Sequence, residues 1–382
     1  MHVHSRRGFL TRTLGASWVA ASLMEKAVLR AAQARADAQA GPQPVLFDLE
    51  KMADGVYAAL ARPQALINSN AVIFENAEDI LIVDTHASPS AAAALTAQIR
   101  KQVTPKPVRY VVNTHFHGDH TQGNPMYRKL APHADFLAST ATRDLMSQLA
   151  APRLKASVEQ ASASLDDYRV KLSAAKTSQE KSYYQEMISQ TTAYIGEMKN
   201  FVPELPNIAF DRDLVVYDKA HEIHLAFRGR AHTAGDVVAF CPQKKVMASG
   251  DLLEGLVPNI ADGYPREWPR TLRALLDLPF DQAAGGHGDI QHGRDRLNQM
   301  AAYIEELTAL VDSGKRQGRT IAQLQASIDP GNLKSLAGPY RDFLLSQIQR
   351  YSVSAAVTPP AQSLVSGVKG NIRDIYNTLD RA

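Results

Sequence analysis

The segment NTHFHGDHTQGN, residues 113–124, constrains this chain more than any other stretch, because it places three histidines and one aspartate within six consecutive positions. The run PVRYVVNT leads directly into His115 and His117 and is short and β-branched, as is typical of a buried strand. The glycine that follows permits a sharp backbone turn, which would aim Asp119 and His120 at a neighbouring position. The segment is either a polar surface loop or one half of a metal centre, and ligands elsewhere in the chain would decide between the two.

Three further residues with metal-binding side chains each follow an apolar run later in the sequence. His232 lies in GRAHTAGD, Asp251 in MASGDLL and His287 in GGHGDI. Zinc generally takes three or four protein ligands, so the first cluster alone does not complete a site. Each later residue by itself would more often be structural or solvated, but together they place potential ligands at several strand ends, where loops on a rigid sheet build sites. The sequence therefore favours a metal centre assembled from distant loops.

The order of these motifs resembles the metallo-β-lactamase superfamily. HFHGDH, AHTAGD, SGDLL and GGHG follow one another, preceded by LIVDTH, and the resemblance covers roughly residues 45–310. It implies an α/β (α+β) fold, a four-layer αββα sandwich, with a dinuclear metal site at one edge. Carried over by position, it implies a first metal bound by His115, His117 and His232, a second bound by Asp119, His120 and His287, Asp251 bridging the two, and Asp84 supporting the site from behind.

The ligand set that the resemblance implies indicates hydrolytic chemistry. Nitrogen and oxygen ligands without a thiolate suit zinc and tolerate iron or manganese, so we expect two Zn²⁺ per chain. Such a pair would lower the pKa of a shared water, and the resulting hydroxide would attack an ester, lactone, thioester or related bond of a small-molecule substrate. Asp119 is the expected catalytic residue, because it would orient the nucleophile and pass its proton to the leaving group.

Alternative activities stay open at this point. In the family that the chain resembles, one β-lactamase subclass has a cysteine where this chain has Asp251, and another lacks a bridging carboxylate there. Because it has Asp251, this chain looks more like the thioesterase, lactonase, phosphodiesterase and sulfatase branches of that family, and opening of β-lactam rings is the runner-up. A sulfur dioxygenase-like oxidoreductase is a further alternative, because related sandwiches with iron catalyse that reaction. A non-catalytic binding protein of this fold would usually lack some ligands, whereas all seven positions are filled here.

The segment LVPNIADGYPREWPRTLRALLDL follows Asp251 directly and is expected to form a loop beside the metals. Tyr264 and Trp268 would stack on a substrate, and Asn259 would donate a hydrogen bond to a developing oxyanion. The alternative is that Tyr264 and Trp268 pack this loop onto the helix that follows it.

Residues 151–200 interrupt the alternation of strands and helices. Apolar residues from Leu154 to Leu172 recur at spacings of four and three, which places them on one helical face. Thr177 and Glu180 would form a capping box for a second helix. The sequence predicts a helical hairpin insertion that packs against itself and the domain, with a lid or a homo-oligomer interface as further hypotheses.

The first 40 residues are predicted to be an export signal rather than part of the fold. Arg6 and Arg7 stand together in SRRGFL, which resembles the twin-arginine signature of bacterial export signals. A moderately apolar stretch follows, and AQA at residues 38–40 fits cleavage between small residues. The protein is therefore expected to be periplasmic or secreted; the alternative is a frayed, basic N-terminus.

The rest of the chain is expected to form a catalytic domain over residues 41–310 and a helical C-terminal extension over residues 311–382. Residues 1–40 carry six basic and two acidic side chains, so 36 of the 42 basic and 37 of the 39 acidic residues lie beyond them. That balance gives no electrostatic footprint for nucleic acid. No stretch approaches the length of a transmembrane helix, so no permanent membrane span is expected.

Overall fold

The fold consists of two β-sheets with helices on their outer faces. The computed structural model describes residues 45–63 and 68–381, and the predicted export signal lies outside them. None of the helices in this part of the chain combines the length and the apolarity needed to cross a bilayer. The predicted mixed α/β class is confirmed.

The first sheet has seven strands, whose spatial order follows their order in the chain. The first four strands pair antiparallel, and the last four pair parallel. Parallel pairing brings the carboxyl ends of neighbouring strands to the same edge. The strands are β1 (Phe47–Ala53), β2 (Val56–Ala61), β3 (Ala71–Glu75), β4 (Ile80–Val83), β5 (Val108–Val112), β6 (Asp135–Ser139) and β7 (Ile208–Phe210).

The second sheet has six strands in the order β13, β12, β11, β10, β9, β8. β11 and β12 pair parallel, and all other neighbours pair antiparallel. The strands are β8 (Asp213–Tyr217), β9 (Glu222–Phe227), β10 (Val237–Cys241), β11 (Val246–Gly250), β12 (Gln282–Gly285) and β13 (Gln291–His292).

Helices cover the outer face of each sheet. In the described part of the chain, short 3₁₀ segments add to them, at Leu275–Asp277, Pro330–Asn332, Lys334–Leu336 and Val353–Ala356. The α-helices are α1 (Pro89–Gln102), α2 (Gly118–Thr121), α3 (Asn124–Leu130), α4 (Thr140–Ala174), α5 (Ser178–Met198), α6 (Trp268–Ala274), α7 (Asp295–Arg316), α8 (Ile321–Ser327), α9 (Pro339–Tyr351) and α10 (Pro360–Thr378).

Three buried apolar clusters hold these layers together. Alternation along β3 sends Val72 between the two sheets, where Leu225 of the second sheet lies in the same cluster. Its neighbour Ile73 faces outward and packs in the cluster that contains Leu95 of α1. On the far side, Met247 of β11 belongs to the cluster built by α6 to α10. The order of layers is therefore helix, sheet, sheet, helix, as the resemblance implied.

The helical hairpin is present, but it is longer than the sequence suggested. Its first helix, α4, begins at Thr140 and not at residue 151, because Ser139 caps that helix directly at the end of β6. The capping box of Thr177 and Glu180 is confirmed at the start of α5. The two helices share a small apolar cluster that includes Ala161, Tyr194 and Met198, so the hairpin packs against itself.

The boundary predicted at residue 310 needs correction. Helix α7 runs from Asp295 to Arg316 without interruption, so residue 310 lies inside it. Ile304 and Val311 of α7 are fully buried in the same cluster as Ile372 of α10. The C-terminal helices therefore complete the outer layer of the second sheet. The apolar face of α7 continues past the predicted boundary, and these helices bury it.

Candidate metal centre

The strand ends bring the candidate ligands to one edge of the sandwich. His115 follows the carboxyl end of β5, and α2 carries Asp119 and His120. Asp251 follows the last residue of β11, and His287 comes just after β12, which is parallel to it. His232 lies in the loop that joins β9 to β10. Each candidate thus lies on a loop or short helix that follows a strand, and all seven converge.

A first group of side chains consists of His115, His117, His232 and Asp251, each offering one ligand atom within 4.8 Å of the others. The Nδ1 atom of His117 lies 3.1 Å from Nε2 of His115 and 2.9 Å from Nε2 of His232. Oδ2 of Asp251 lies 3.4 Å from Nε2 of His232 and 3.8 Å from Nε2 of His115. Three imidazoles and a carboxylate oxygen therefore face one common point.

A second group lies beside the first and shares Asp251 with it. Asp119, His120, Asp251 and His287 also place their ligand atoms within 4.8 Å of one another. Oδ2 of Asp119 lies 3.2 Å from Nε2 of His287 and 3.4 Å from Nε2 of His120. Oδ1 of Asp251 lies 3.2 Å from Nε2 of His120, while Oδ2 faces the first group. The two oxygens of one carboxylate thus point at two separate positions.

On His115, His120 and His232, the ring nitrogen that faces away from the centre is held by a protein acceptor. Nδ1 of His232 donates to the backbone carbonyl of Asn259 at 2.9 Å, and Nδ1 of His115 lies 3.1 Å from the hydroxyl of Thr114. Nδ1 of His120 donates to Asp84 at 2.8 Å. Such outward hydrogen bonds fix the tautomer and leave the other nitrogen free for a metal.

Among the described residues, two buried atoms at the centre make no hydrogen bond, although they lie 3.2 Å from each other. They are Nε2 of His120 and Oδ1 of Asp251. An unpartnered buried polar atom costs free energy, and native proteins rarely leave one without a function. A cation between the ligand atoms would satisfy both. The donor set of imidazole nitrogens and carboxylate oxygens fits zinc, with iron or manganese also tolerated, so the residues present fit a pair of metal ions.

The electrostatics of the two groups favour positive charge at the second. Burial lowers the pKa of His232 to about 3, so this ring is neutral and ready to bind a metal. Burial would also lower the pKa of His287, but Asp251 and Asp119 outweigh it and raise that pKa to about 10. The same field that favours a proton on His287 would favour a cation beside it.

Asp84 supports the site from behind, as the resemblance implied. Its carboxylate is buried and accepts hydrogen bonds from the backbone amide and the hydroxyl of Thr114, as well as from His120. The residue itself adopts a left-handed backbone conformation with φ of 66°. Non-glycine residues rarely occupy this region, and such strain is concentrated at functional sites.

The loop that carries His287 is fixed from two sides. The side chain of Asn70 donates to the carbonyl oxygens of Gly285 and Gly288, at 3.0 and 2.9 Å. From the C-terminal side, Gln347 of α9 accepts from the amide of Asp289 at 2.8 Å and donates to its carboxylate at 2.7 Å. Helix α9 therefore helps to position a candidate metal ligand, which gives the C-terminal region a role in the site.

A cavity of about 390 Å³ opens onto both groups. His117, Asp119, Asp251 and His287 reach its floor. Helix α4 of the hairpin forms one wall, so the hairpin covers part of the site. The apolar part of the lining consists of Phe116, Met146, Ala150, Leu154, Phe201, Pro203, Leu256, Val257 and Ala261.

The three predicted substrate residues have different outcomes. Asn259 lines the cavity. Trp268 is fully buried, and its Nε1 donates to the carbonyl of Leu252 at 3.0 Å, so it has no surface left for a substrate. Tyr264 is not among the cavity residues and lies beneath the guanidinium of Arg230, 4.4 Å from the ring centre. The packing alternative therefore replaces substrate stacking for Trp268, whereas the ring of Tyr264 contacts Arg230 outside the cavity lining.

Sequence reasoning missed three residues at the site. Nε2 of His117 donates to Asp262 at 2.7 Å, and Arg153 of α4 binds the same carboxylate. Glu254 is buried at the cavity, where its Oε1 accepts from the backbone amide of Asn259 at 3.1 Å. Burial and the charge of Asp251 raise the pKa of Glu254 well above its ordinary value. The position of Asp262 in the loop after Asp251 was a usable signal; nothing in the sequence pointed to Arg153.

Comparison with family models assigns this chain to a known superfamily. A family model described as the metallo-beta-lactamase superfamily matches residues 66–287, which is more than half of the chain. The chain therefore belongs to the metallo-β-lactamase superfamily, and this membership supports its assignment as a metal-dependent hydrolase. Among solved structures, the chain is similar to a metallo-beta-lactamase from Pontibacter korlensis, with 16% identity and a TM-score of 0.49 over 67% of this chain and 98% of that chain.

Proposed function

We propose that this protein is an exported dinuclear zinc hydrolase that cleaves an ester, lactone or thioester bond next to an apolar group. One observation carries the proposal. Asp251 turns its two carboxylate oxygens toward two separate groups of ligand atoms at the floor of one cavity, and one of those oxygens has no hydrogen-bond partner.

Seven side chains would hold the two cations. When bound, such a pair supplies Lewis acidity and makes hydroxide available near neutral pH. The first cation would be held by His115, His117 and His232, the second by Asp119, His120 and His287, and Asp251 would contribute one oxygen to each.

Asp119 is suited to the proton transfer that hydrolysis requires. Its Oδ2 faces His120 and His287, which leaves Oδ1 to hold a proton and deliver it to the leaving group. The side chain lines the cavity and is 19% exposed, so it can contact a substrate. We assign Asp119 as the catalytic acid–base residue, and Asn259 at the cavity wall as a hydrogen-bond donor to the substrate.

The cavity wall favours a substrate that is apolar and uncharged. Met146, Leu154 and Phe201 would exclude water from the group beside the scissile bond. Among the cavity-lining residues that the structure describes, the one Lys or Arg is Arg153, and both of its terminal nitrogens bind Asp262. A β-lactam antibiotic, a phosphodiester or an alkyl sulfate carries a negative charge that the two proposed cations would attract, but no free Lys or Arg among these described residues would hold it in the rest of the cavity. This argument places neutral esters, lactones and thioesters ahead of them.

A substrate panel on the metal-loaded mature protein tests the proposal. Aryl esters, thioesters and lactones of increasing acyl length should be hydrolysed with kcat/KM rising with chain length, because each added methylene is removed from water. Cephalosporins, phosphodiesters and alkyl sulfates should react more slowly. Metal analysis by mass spectrometry should give two zinc ions per chain. Rapid cephalosporin hydrolysis with inert neutral esters would overturn the substrate assignment, and a content of iron would support the oxidoreductase alternative instead.

A matched pair of variants tests the apolar wall. Leu154→Ala should lower kcat/KM about 10-fold for the longest acyl substrates while leaving the shortest within about twofold, because only a long chain reaches the wall. Val170→Ala lies on the same helix, but Val170 is 67% exposed and does not line the cavity, so this variant should match the unaltered enzyme on all substrates. Equal losses across chain lengths in Leu154→Ala would mean that the residue supports the fold and not substrate binding.

A further inference from the structure

The helical hairpin is connected to a candidate metal ligand through two side chains. Nε2 of His117 donates to Oδ2 of Asp262 at 2.7 Å. Arg153 of α4 binds the same carboxylate through both terminal nitrogens, each at 2.7 Å. Its guanidinium also lies over the ring of Phe116, 4.7 Å from the ring centre. These contacts join residues that are far apart in the chain into one continuous path from the hairpin to the metal centre.

His117 differs from the other two histidines of the first group in how it is supported. It turns Nδ1 toward the common point, whereas His115 and His232 turn Nε2 toward it. Its side chain is 12% exposed at the cavity floor, whereas His115 and His232 are fully buried. Those two rings are held by the hydroxyl of Thr114 and by the backbone carbonyl of Asn259. The orientation of His117 depends instead on a carboxylate at the cavity wall.

Arg153, the second partner of Asp262, holds its carboxylate in the orientation that accepts from His117. A carboxylate can accept from His117 and from both nitrogens of an arginine at once, because two oxygens offer about four acceptor positions. The bidentate pair with Arg153 fixes the plane of the carboxylate, and the fixed plane in turn fixes the hydrogen bond to His117. A lysine in place of Arg153 would supply charge without the fork, so it would hold Asp262 less firmly.

We propose that Asp262 is a positioning residue for His117, and that Arg153 makes the metal affinity of the first group depend on the helical hairpin. The inference rests on the proposed metal centre. It gives the hairpin a second role besides forming the cavity wall, because the hairpin then orients a metal ligand. Loss of the contact between Arg153 and Asp262 would weaken metal binding, although Arg153 itself does not touch the metal.

Metal affinity is the first measurement, made on the full mature protein by zinc competition with a chelating dye. Asp262→Ala should weaken the first zinc about 10- to 100-fold, the range for losing a carboxylate behind a ligating histidine. Asp262→Asn keeps one side-chain oxygen, and its zinc affinity should lie between that of Asp262→Ala and that of the unaltered protein. Arg153→Gln should also weaken zinc binding, but by a smaller factor than Asp262→Ala. Glu305→Gln is the matched control: it breaks the bidentate pair of Arg273 and Glu305, neither of which lines the cavity, and it should leave zinc affinity unchanged.

A spectroscopic measurement separates positioning from general destabilisation. The visible absorption of the cobalt-substituted protein reports ligand geometry, so Asp262→Ala and Arg153→Gln should shift it while Glu305→Gln should not. If Asp262→Ala does not fold, Arg153→Gln still tests the proposal, because Arg153 is a 43% exposed side chain. Zinc affinity within twofold of the unaltered protein in Asp262→Ala would overturn the role of Asp262. An effect in Asp262→Ala without any in Arg153→Gln would overturn the link to the hairpin.

These outcomes are distinct from failure of the proposed function. If the unaltered protein binds no metal, both proposals fail together. If it binds metal and hydrolyses a substrate while the Asp262 and Arg153 variants behave like it, only the positioning proposal fails.

Discussion

The carboxylate of Asp84 accepts a hydrogen bond from Nδ1 of His120 over 2.8 Å, and both residues are buried. The same carboxylate also accepts from the amide and the hydroxyl of Thr114, the residue that precedes His115. One side chain thus orients a candidate ligand of the second group and holds the backbone that carries a ligand of the first. Its contribution should be visible in both metal affinity and stability.

Asp84→Ala should weaken binding of the second metal about 10- to 100-fold, because His120 loses the acceptor that fixes its tautomer. The free energy of unfolding of the metal-free protein should fall by about 2 kcal/mol, since buried donors on Thr114 and His120 lose a charged partner. Metal content after dialysis against graded chelator and urea denaturation would measure the two effects. Asp281→Asn, at an exposed surface pair with Lys245, is the control. An Asp84→Ala protein with full metal content would contradict the supporting role.

Gly286→Ala should prevent metal binding while leaving the rest of the fold intact. A Cβ atom at this position would lie 1.9 Å from Oδ1 of Asp251 and 2.7 Å from Cε1 of His120, so the carboxylate that serves both groups would have to move. Gly196→Ala, with nothing within 4 Å of its added Cβ on helix α5, is the matched control and should be neutral or slightly stabilising. Zinc stoichiometry and circular dichroism would distinguish the two variants. Normal zinc content in Gly286→Ala would show that the metals do not bind beside Asp251 and His120.

Removing the metals should lower the melting temperature. Ions that bind the folded state alone stabilise it by about 4 kcal/mol at a free concentration a thousandfold above Kd. A chelator should therefore lower Tm in a thermal scan, and added zinc should restore it. His117→Ala should lose metal and activity together, and its Tm should respond less to chelator. A chelator that leaves the Tm of the unaltered protein unchanged would contradict the metal centre.

The proposed export signal can be tested independently of the fold. Residues 1–40 fused to a fluorescent protein should direct it to the periplasm of a bacterial host, and replacing Arg6 and Arg7 together with lysine should retain it in the cytoplasm. Fractionation followed by immunoblotting would measure this. Equal distribution of both fusions would favour the frayed, basic N-terminus over a signal.

Much of the site was accessible from the sequence because its signals are local. Residue type and order identified the candidate ligands, and each apolar run before them predicted the strand that carries it. His115 after β5 and Asp251 after β11 are examples. The capping box of Thr177 and Glu180 was equally accessible, since its hydrogen bonds lie within one helical turn. Such features depend on neighbours along the chain.

Other features were decided by tertiary structure. The sequence cannot distinguish a Trp268 that faces a substrate from one that packs in the core. The packing of α6 onto the second sheet is what buries it. The apolar face of α7 predicted a helix but not which helices would cover it, so the boundary at residue 310 was misplaced. The pairing of His117 with Asp262 spans 145 positions, and that of Asp262 with Arg153 spans 109.

The sequence by itself therefore determined which atoms are available to bind metals and which strands present them. Tertiary structure determined which ring nitrogen each histidine turns inward, which carboxylate lies behind it, and which helix closes the cavity. The physical reason is that strand and helix patterns record contacts within a few residues. The meeting of loops from two sheets and a hairpin depends on how complete layers pack, and no short segment encodes that arrangement.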